Sequence, residues 1–116
     1  MEKIAFDDFK KMMESDVMSG PSCIEVEFCI DNFSEYDSCW LGKMGGSNHV
    51  KFERALYWYG LKPDGSQPYD FESFDDFVNA PVFRGKSIKE IWDSVTLYSI
   101  DGCTVDFMLP VYLGLD

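Results

Sequence analysis

Catalysis by a thiol and an imidazole is the first chemistry to test in this sequence. His49 is its only histidine, and Cys39 is the nearest cysteine. If residues 45–48, GGSN, form a tight turn, Met44 lies opposite His49. Cys39 is then five residues further along the strand, about 16 Å away at 3.3 Å per residue. A nucleophile and its base must lie about 3 Å apart, so an exposed loop histidine is the simpler interpretation.

A pair of carboxylates is the second candidate for chemistry. Glu25 and Glu27 alternate with apolar residues, so both project from one face of a strand with Cα atoms about 7 Å apart. Glycosidase acids can have such a separation. Alternating charges are also the ordinary mark of the water-facing side of a strand. We therefore expect these carboxylates to lie on a solvent face and to have no catalytic role.

Metal and phosphate sites require residue spacings that this chain lacks. Cys23, Cys29, Cys39 and Cys103 are separated by six, ten and sixty-four positions, whereas structural zinc sites use closely spaced pairs. The segment GKMGGS at 42–47 places its lysine before the last glycine, and a strand rather than a helix is expected to follow it. A phosphate-binding loop needs the opposite order and a helix. We expect no cofactor and no enzymatic activity.

The net charge limits the classes of partner. Twenty-one acidic and ten basic residues give a charge of -11. Binding to nucleic acids and to anionic membranes depends on lysine and arginine, so neither is expected. No stretch reaches the roughly 18 apolar residues of a membrane span. Acidity serves solubility, and it also suits a partner with a basic surface.

The first residues of the sequence indicate the cellular compartment. The segment MEKIAFDDFKKMMESDV contains no apolar run followed by a small-residue cleavage site, as a secretory signal would. We therefore expect a cytoplasmic protein whose four cysteine thiols stay reduced.

The elements that must position these side chains can be predicted from apolar periodicity. A helical stripe over residues 5–15 predicts an N-terminal helix. Strict alternation from Cys23 to Asp31 predicts a strand with one wet face. Residues 38–44 and 50–60 predict two more strands, joined by the glycine-rich turn. These three strands are expected to form an antiparallel meander.

The second half of the sequence predicts shorter elements. Ser73 and Asp76 resemble a capping box with aspartate in place of glutamate, which predicts a short helix through Val78. Ser87 and Glu90 form a full capping box that predicts a second short helix. Residues 95–100 predict a fourth strand. The apolar tail at 104–113 is ambiguous between helix and strand, although Pro110 argues against a central strand.

The predicted fold is a single acidic α+β domain over residues 1–116. Its sheet is an antiparallel meander of about four strands. An N-terminal helix and the short helices pack on one face of this sheet. The position of the fourth strand within the sheet stays open.

The aromatic residues are the remaining functional signal. Tyr57 and Tyr59 face away from Trp58, so one set fills the core and the other meets a helix, a partner or a ligand. Tyrosine and tryptophan are favoured at binding hot spots. We take the tyrosines, with neighbouring charges, as the candidate interaction residues: Tyr57, Tyr59, Lys51, Arg54, Glu25 and Glu27.

Two functions follow from these observations. The first is a non-enzymatic protein-binding module, inhibitor-like or immunity-like, that docks a basic protein surface. The alternative is a domain that binds a small apolar or aromatic ligand in a pocket between sheet and helices. An exposed aromatic patch would favour the first function, and a closed concave cavity the second.

Overall fold

A computed structural model of the chain describes residues 2–15, 23–44, 56–64, 66 and 68–114. Its α-helices and strands, in chain order, are α1 (Phe6–Met13), β1 (Cys23–Ile30), β2 (Cys39–Met44), β3 (Leu56–Gly60), β4 (Pro68–Phe71), α2 (Phe74–Asn79), β5 (Val95–Ile100) and α3 (Val105–Leu113). Two short 3₁₀ helices, Ser34–Tyr36 and Trp92–Ser94, complete the described elements.

The strands form one antiparallel sheet in the order β4-β3-β2-β1-β5. The α+β prediction is confirmed, as is the antiparallel meander. The sheet has five strands rather than about four, because the segment Pro68–Phe71 also pairs. It has only four residues, it begins with proline and it lies at an edge. Edge positions tolerate proline because the ladder does not need its missing N–H.

The strand at 95–100 occupies the other edge of the sheet, next to β1. Its outer side is partly covered by the N-terminal segment, since the backbone of Glu2 exchanges two hydrogen bonds with Leu97 at 2.8 and 2.7 Å. Lys3 extends this attachment, because its ammonium contacts Asp31 at 2.6 Å. These bonds leave less of the β5 edge free to pair with another chain.

All three described α-helices pack on one face of the sheet, which we call the covered face. Phe77 of α2 stacks on Tyr59 of β3 with ring centroids 4.3 Å apart. Phe9 of α1 packs on Phe77 in turn, and α3 contacts α1 and β5. The core between helices and sheet is filled by large side chains, many of them aromatic rings. The prediction that the helices lie on one face is confirmed.

The capping box at Ser87 forms without starting an α-helix. The Ser87 N–H donates to the Glu90 carboxylate at 3.0 Å, and the Glu90 N–H donates to the Ser87 hydroxyl at 3.2 Å. Turns follow, and then the 3₁₀ helix Trp92–Ser94. The predicted second short helix is therefore wrong. The turns and the 3₁₀ helix bring Trp92 onto Phe9, with ring centroids 4.4 Å apart, so tertiary packing outweighs the local helix signal.

The ambiguous tail is helical. Helix α3 contains Pro110 and buries Val105, Met108 and Tyr112 on one side. This spacing of three and four residues places them on the same stripe. Packing of that stripe stabilises the helix despite the N–H that proline lacks.

Candidate functional site

The face of the sheet opposite the helices is where the candidate site lies, and we call it the open face. Strand register assigns to it Glu25 and Glu27 of β1, Trp40 and Gly42 of β2, Trp58 of β3 and Asp70 of β4. Glu25 and Asp70 are exposed, and both tryptophans are half-buried. The predicted solvent-facing position of the two glutamates agrees with this placement.

The structure places Tyr57 and Tyr59 on the covered face instead. Tyr59 pairs with Leu41 and is completely buried, and Tyr57 pairs with Lys43 and is 8% exposed. The Tyr59 hydroxyl donates to the Phe77 carbonyl at 2.7 Å, and burial raises the pKa of its phenol. Both rings are core residues in this fold. The aromatic part of the candidate site therefore belongs to Trp40 and Trp58.

Strand register explains why the tyrosines and tryptophans exchange places. A turn at residues 45–48 would set Met44 opposite His49, whereas the structure pairs Met44 with Leu56. The shift is seven residues, an odd number. Because side chains alternate between faces with a period of two, an odd shift moves every side chain of the strand to the other face.

Lys51 and Arg54 lie outside the described residues, as do His49 and the predicted turn at 45–48.

The two tryptophans each pair with a glycine. Trp58 lies opposite Gly42, and Trp40 lies opposite Gly60. A Cβ atom at Gly42 would come within 2.7 Å of the Trp58 indole and would collide with the Ile24 carbonyl oxygen. The absence of a side chain at Gly42 thus lets the indole of Trp58 lie against the backbone of β2.

A shallow cleft of about 270 Å³ opens beside these rings. It is lined by Glu25, Trp40, Trp58, Pro63 and Asp64. The Trp40 indole N–H donates to the Pro63 carbonyl at 3.0 Å, which fixes the loop after β3 against the sheet. The cleft therefore has apolar walls with a carboxylate on the strand side and another on the loop side.

Hydrogen bonds position the backbone at Glu25 and the side chain of Asp64. The backbone N–H of Glu25 donates to Asp101 at 2.9 Å, and the Asp101 N–H donates to the Glu25 carbonyl at 2.7 Å. These bonds tie the backbone of β1 at Glu25 to the turn after β5. Hydrogen bonds from Ser66, chiefly through its side chain, lower the pKa of Asp64, so its carboxylate is ionised at neutral pH.

Cys39, the cysteine of the thiol–imidazole candidate, is not exposed to water in the structure. Cys39 is buried and contacts the Leu61 carbonyl at 3.5 Å, and burial raises the pKa of its thiol to about 12. Its thiolate is therefore scarce at neutral pH. Glu27 accepts a hydrogen bond from Ser38 at 2.8 Å. Within the described ranges, no three histidine, cysteine, aspartate or glutamate residues are grouped as metal ligands.

The sequence contained part of the signal for this site. The alternation of Tyr57, Trp58 and Tyr59 shows that one aromatic set must leave the core. The glycines at 42 and 60 could have indicated which set, since each lies beside a tryptophan. Pro63 and Asp64 gave no signal of their own, because only the folded loop brings them to Trp40.

Comparison with protein-family models, curated proteins and solved structures found no match to this chain. None of the helices in the described ranges is both long enough and apolar enough to cross a bilayer. The function is therefore argued from the geometry and charge of the open face.

Proposed function

We propose that this protein is a non-enzymatic binding module, inhibitor-like or immunity-like, that docks a basic protein surface on its open face. The observation that carries the proposal is the pair of half-buried tryptophans, Trp40 and Trp58, set among carboxylates on the face that the described α-helices leave uncovered. Tryptophan is enriched among the few residues that supply most of the affinity at protein interfaces.

The charge around these rings favours a basic partner. Glu25, Glu27 and Asp70 project from the open face, and Asp64 lies at its loop side. Lys62 is the described cation closest in sequence to Asp64. With a net charge of -11 on the whole chain, the field steers cationic proteins toward the surface and repels nucleic acids and anionic lipids.

The same proposal includes a cytoplasmic location. Cys29, Cys39 and Cys103 are unpaired thiols in the structure, which suits a reducing compartment.

The space between sheet and helices gives less support to the small-ligand alternative. Tyr59 packs between Phe77 at 4.3 Å and Phe83 at 5.3 Å, measured between ring centroids. Phe71 completes this group at 5.9 Å from Tyr59. Rings occupy the region where that ligand would bind, so we favour the open face.

Binding kinetics test the proposed function. Proteins captured from the native host are titrated by surface plasmon resonance at several salt concentrations. Trp58→Ala should raise the dissociation rate about thirtyfold or more, because a central tryptophan contributes at least about 2 kcal/mol. The double variant Glu27→Gln, Asp70→Asn should instead slow association at low salt, where the Debye length is about 30 Å, and should have much less effect at 0.1 M.

Tyr69→Ala is the matched control for these kinetics. Tyr69 is an exposed aromatic residue of β4, but it pairs with Tyr59 and so belongs to the opposite face. Its replacement should leave both rates unchanged. A folded Trp58→Ala protein that dissociates at the wild-type rate from every captured protein would overturn the proposal, as would association that is indifferent to salt.

A further inference from the structure

We propose that the cleft between Trp40, Trp58 and Pro63 receives the guanidinium group of one arginine from the partner. This inference rests on the proposed function, and it assigns a chemical class to the part of the partner that enters the open face.

The size of the cleft suits a single side chain. Its volume of about 270 Å³ lies below the roughly 300–1,000 Å³ of sites that bury a drug-sized ligand. Trp40, Trp58 and Pro63 line it, and the hydrogen bond from the Trp40 indole to the Pro63 carbonyl holds the loop side in position. A long side chain with an apolar stem can lie along this shallow cleft with its planar end against an indole.

The negative charge of the cleft favours a cation as its occupant. Glu25 and Asp64 line it, and hydrogen bonds from Ser66 help keep Asp64 ionised. The ion pairs found within the described part of the chain join Lys3 to Asp31 and Arg84 to Glu35, away from the cleft. Neither of these two ion pairs uses a carboxylate of the cleft, so a cation from the partner does not have to displace Lys3 or Arg84.

The shape of the charged group favours arginine over lysine. A guanidinium is flat, so it stacks on an indole ring while its edge donates several hydrogen bonds. An ammonium is compact and strongly hydrated, and it makes no comparable stacked contact. In this cleft the indoles of Trp40 and Trp58 offer the stacking surfaces, and Glu25 and Asp64 offer acceptors for the edge.

A peptide titration observed by NMR tests this inference without the natural partner. The probes are three acetylated, amidated pentapeptides: Gly-Gly-Arg-Gly-Gly and its lysine and citrulline counterparts. The readout is the pair of ¹⁵N–¹H indole signals of Trp40 and Trp58. The arginine peptide should shift both signals saturably, the lysine peptide should bind at least threefold more weakly, and the uncharged citrulline peptide should cause no saturable shift.

Charge-neutral variants identify the acceptors. Glu25→Gln and Asp64→Asn should each weaken binding of the arginine peptide at least threefold. Asp106→Asn, at an exposed position in the first turn of α3, should leave it unchanged. Equal shifts with the citrulline peptide, equal affinity for the lysine peptide, or unchanged affinity in both cleft variants would each overturn the inference.

The two proposals fail in different ways. If the arginine peptide leaves the indole signals unmoved while Trp58→Ala still releases the captured partner faster, the arginine assignment is wrong and the docking face stands. If the arginine peptide binds as expected while the partner dissociates from the Trp58→Ala variant at the wild-type rate, the cleft binds arginine and the partner docks elsewhere.

Discussion

Replacing Tyr59 with alanine is expected to lower the free energy of unfolding by about 4 kcal/mol or more. The ring is completely buried and stacks on Phe77 at 4.3 Å. Truncating a buried aromatic residue to alanine costs about 3–5 kcal/mol through lost burial and the cavity that remains. The Phe77 carbonyl also loses the hydrogen bond from the Tyr59 hydroxyl, which adds the cost of an unpaired buried acceptor.

Chemical denaturation monitored by circular dichroism measures this loss. The free energy of unfolding of a typical domain is about 5–15 kcal/mol, so Tyr59→Ala would remove much of it. The milder variant Tyr59→Phe should therefore be measured as well. That variant keeps the ring and should lose about 1–2 kcal/mol for the hydroxyl alone. Tyr69→Ala is the control, since Tyr69 is 42% exposed and its replacement should cost less than about 1 kcal/mol. Equal losses for Tyr59→Ala and Tyr69→Ala would contradict the placement of Tyr59 in the core.

Trp92→Ala is expected to cost about 3–5 kcal/mol of unfolding free energy. Trp92 packs on Phe9 with ring centroids 4.4 Å apart and meets Phe6 edge-on at 5.5 Å. Its indole N–H donates to the Ile4 carbonyl at 2.8 Å. The residue therefore joins the N-terminal segment and α1 to the second half of the chain.

The same denaturation experiment tests the role of Trp92, with amide hydrogen exchange as a second readout. Because the Trp92 indole holds Ile4, exchange should rise at the Glu2 and Leu97 amides, which pair at the edge of β5. Phe107→Ala is the control, since Phe107 is 66% exposed and should change stability by less than about 0.5 kcal/mol. A loss below about 1 kcal/mol in Trp92→Ala would show that the ring contributes little to the core.

Local patterns predicted those elements whose signal is contained in a few residues. The alternation of Ile24, Val26 and Phe28 with glutamates defines β1 and its wet face. The stripe of Phe9, Met12 and Met13 defines α1, and all three are buried. Such signals need no knowledge of distant contacts, because the periodicity alone selects the element.

Elements that depend on distant contacts were harder to predict. β4 pairs with β3, and Phe71 packs on Tyr59 and Phe77, although four residues beginning with proline carry almost no strand signal. Helix α3 forms despite Pro110 because its apolar stripe packs against the rest of the molecule. The Ser87 capping box shows the converse, since a correct local signal was not followed by an α-helix.

The sequence predicted the charged residues of the candidate site but not its aromatic residues. Glu25 and Glu27 lie on the open face, because the alternation of apolar and charged residues in β1 already determines which face each side chain occupies. The choice between Tyr59 and Trp58 depends on the register of β3 against β2. An odd difference in that register exchanges the core and solvent faces. The sequence of the residues between the two strands did not specify the register.

The central claim is that Trp40 and Trp58 form the binding face while Tyr57 and Tyr59 belong to the core. Hydroxyl-radical footprinting, read by mass spectrometry on the free protein and on its complex with the captured partner, tests it most directly. The account predicts that labelling of Trp40 and Trp58 falls on binding, and that Tyr57 and Tyr59 are labelled weakly in both states. Strong labelling of the two tyrosines in the free protein that disappears in the complex, with both tryptophans unchanged, would contradict it.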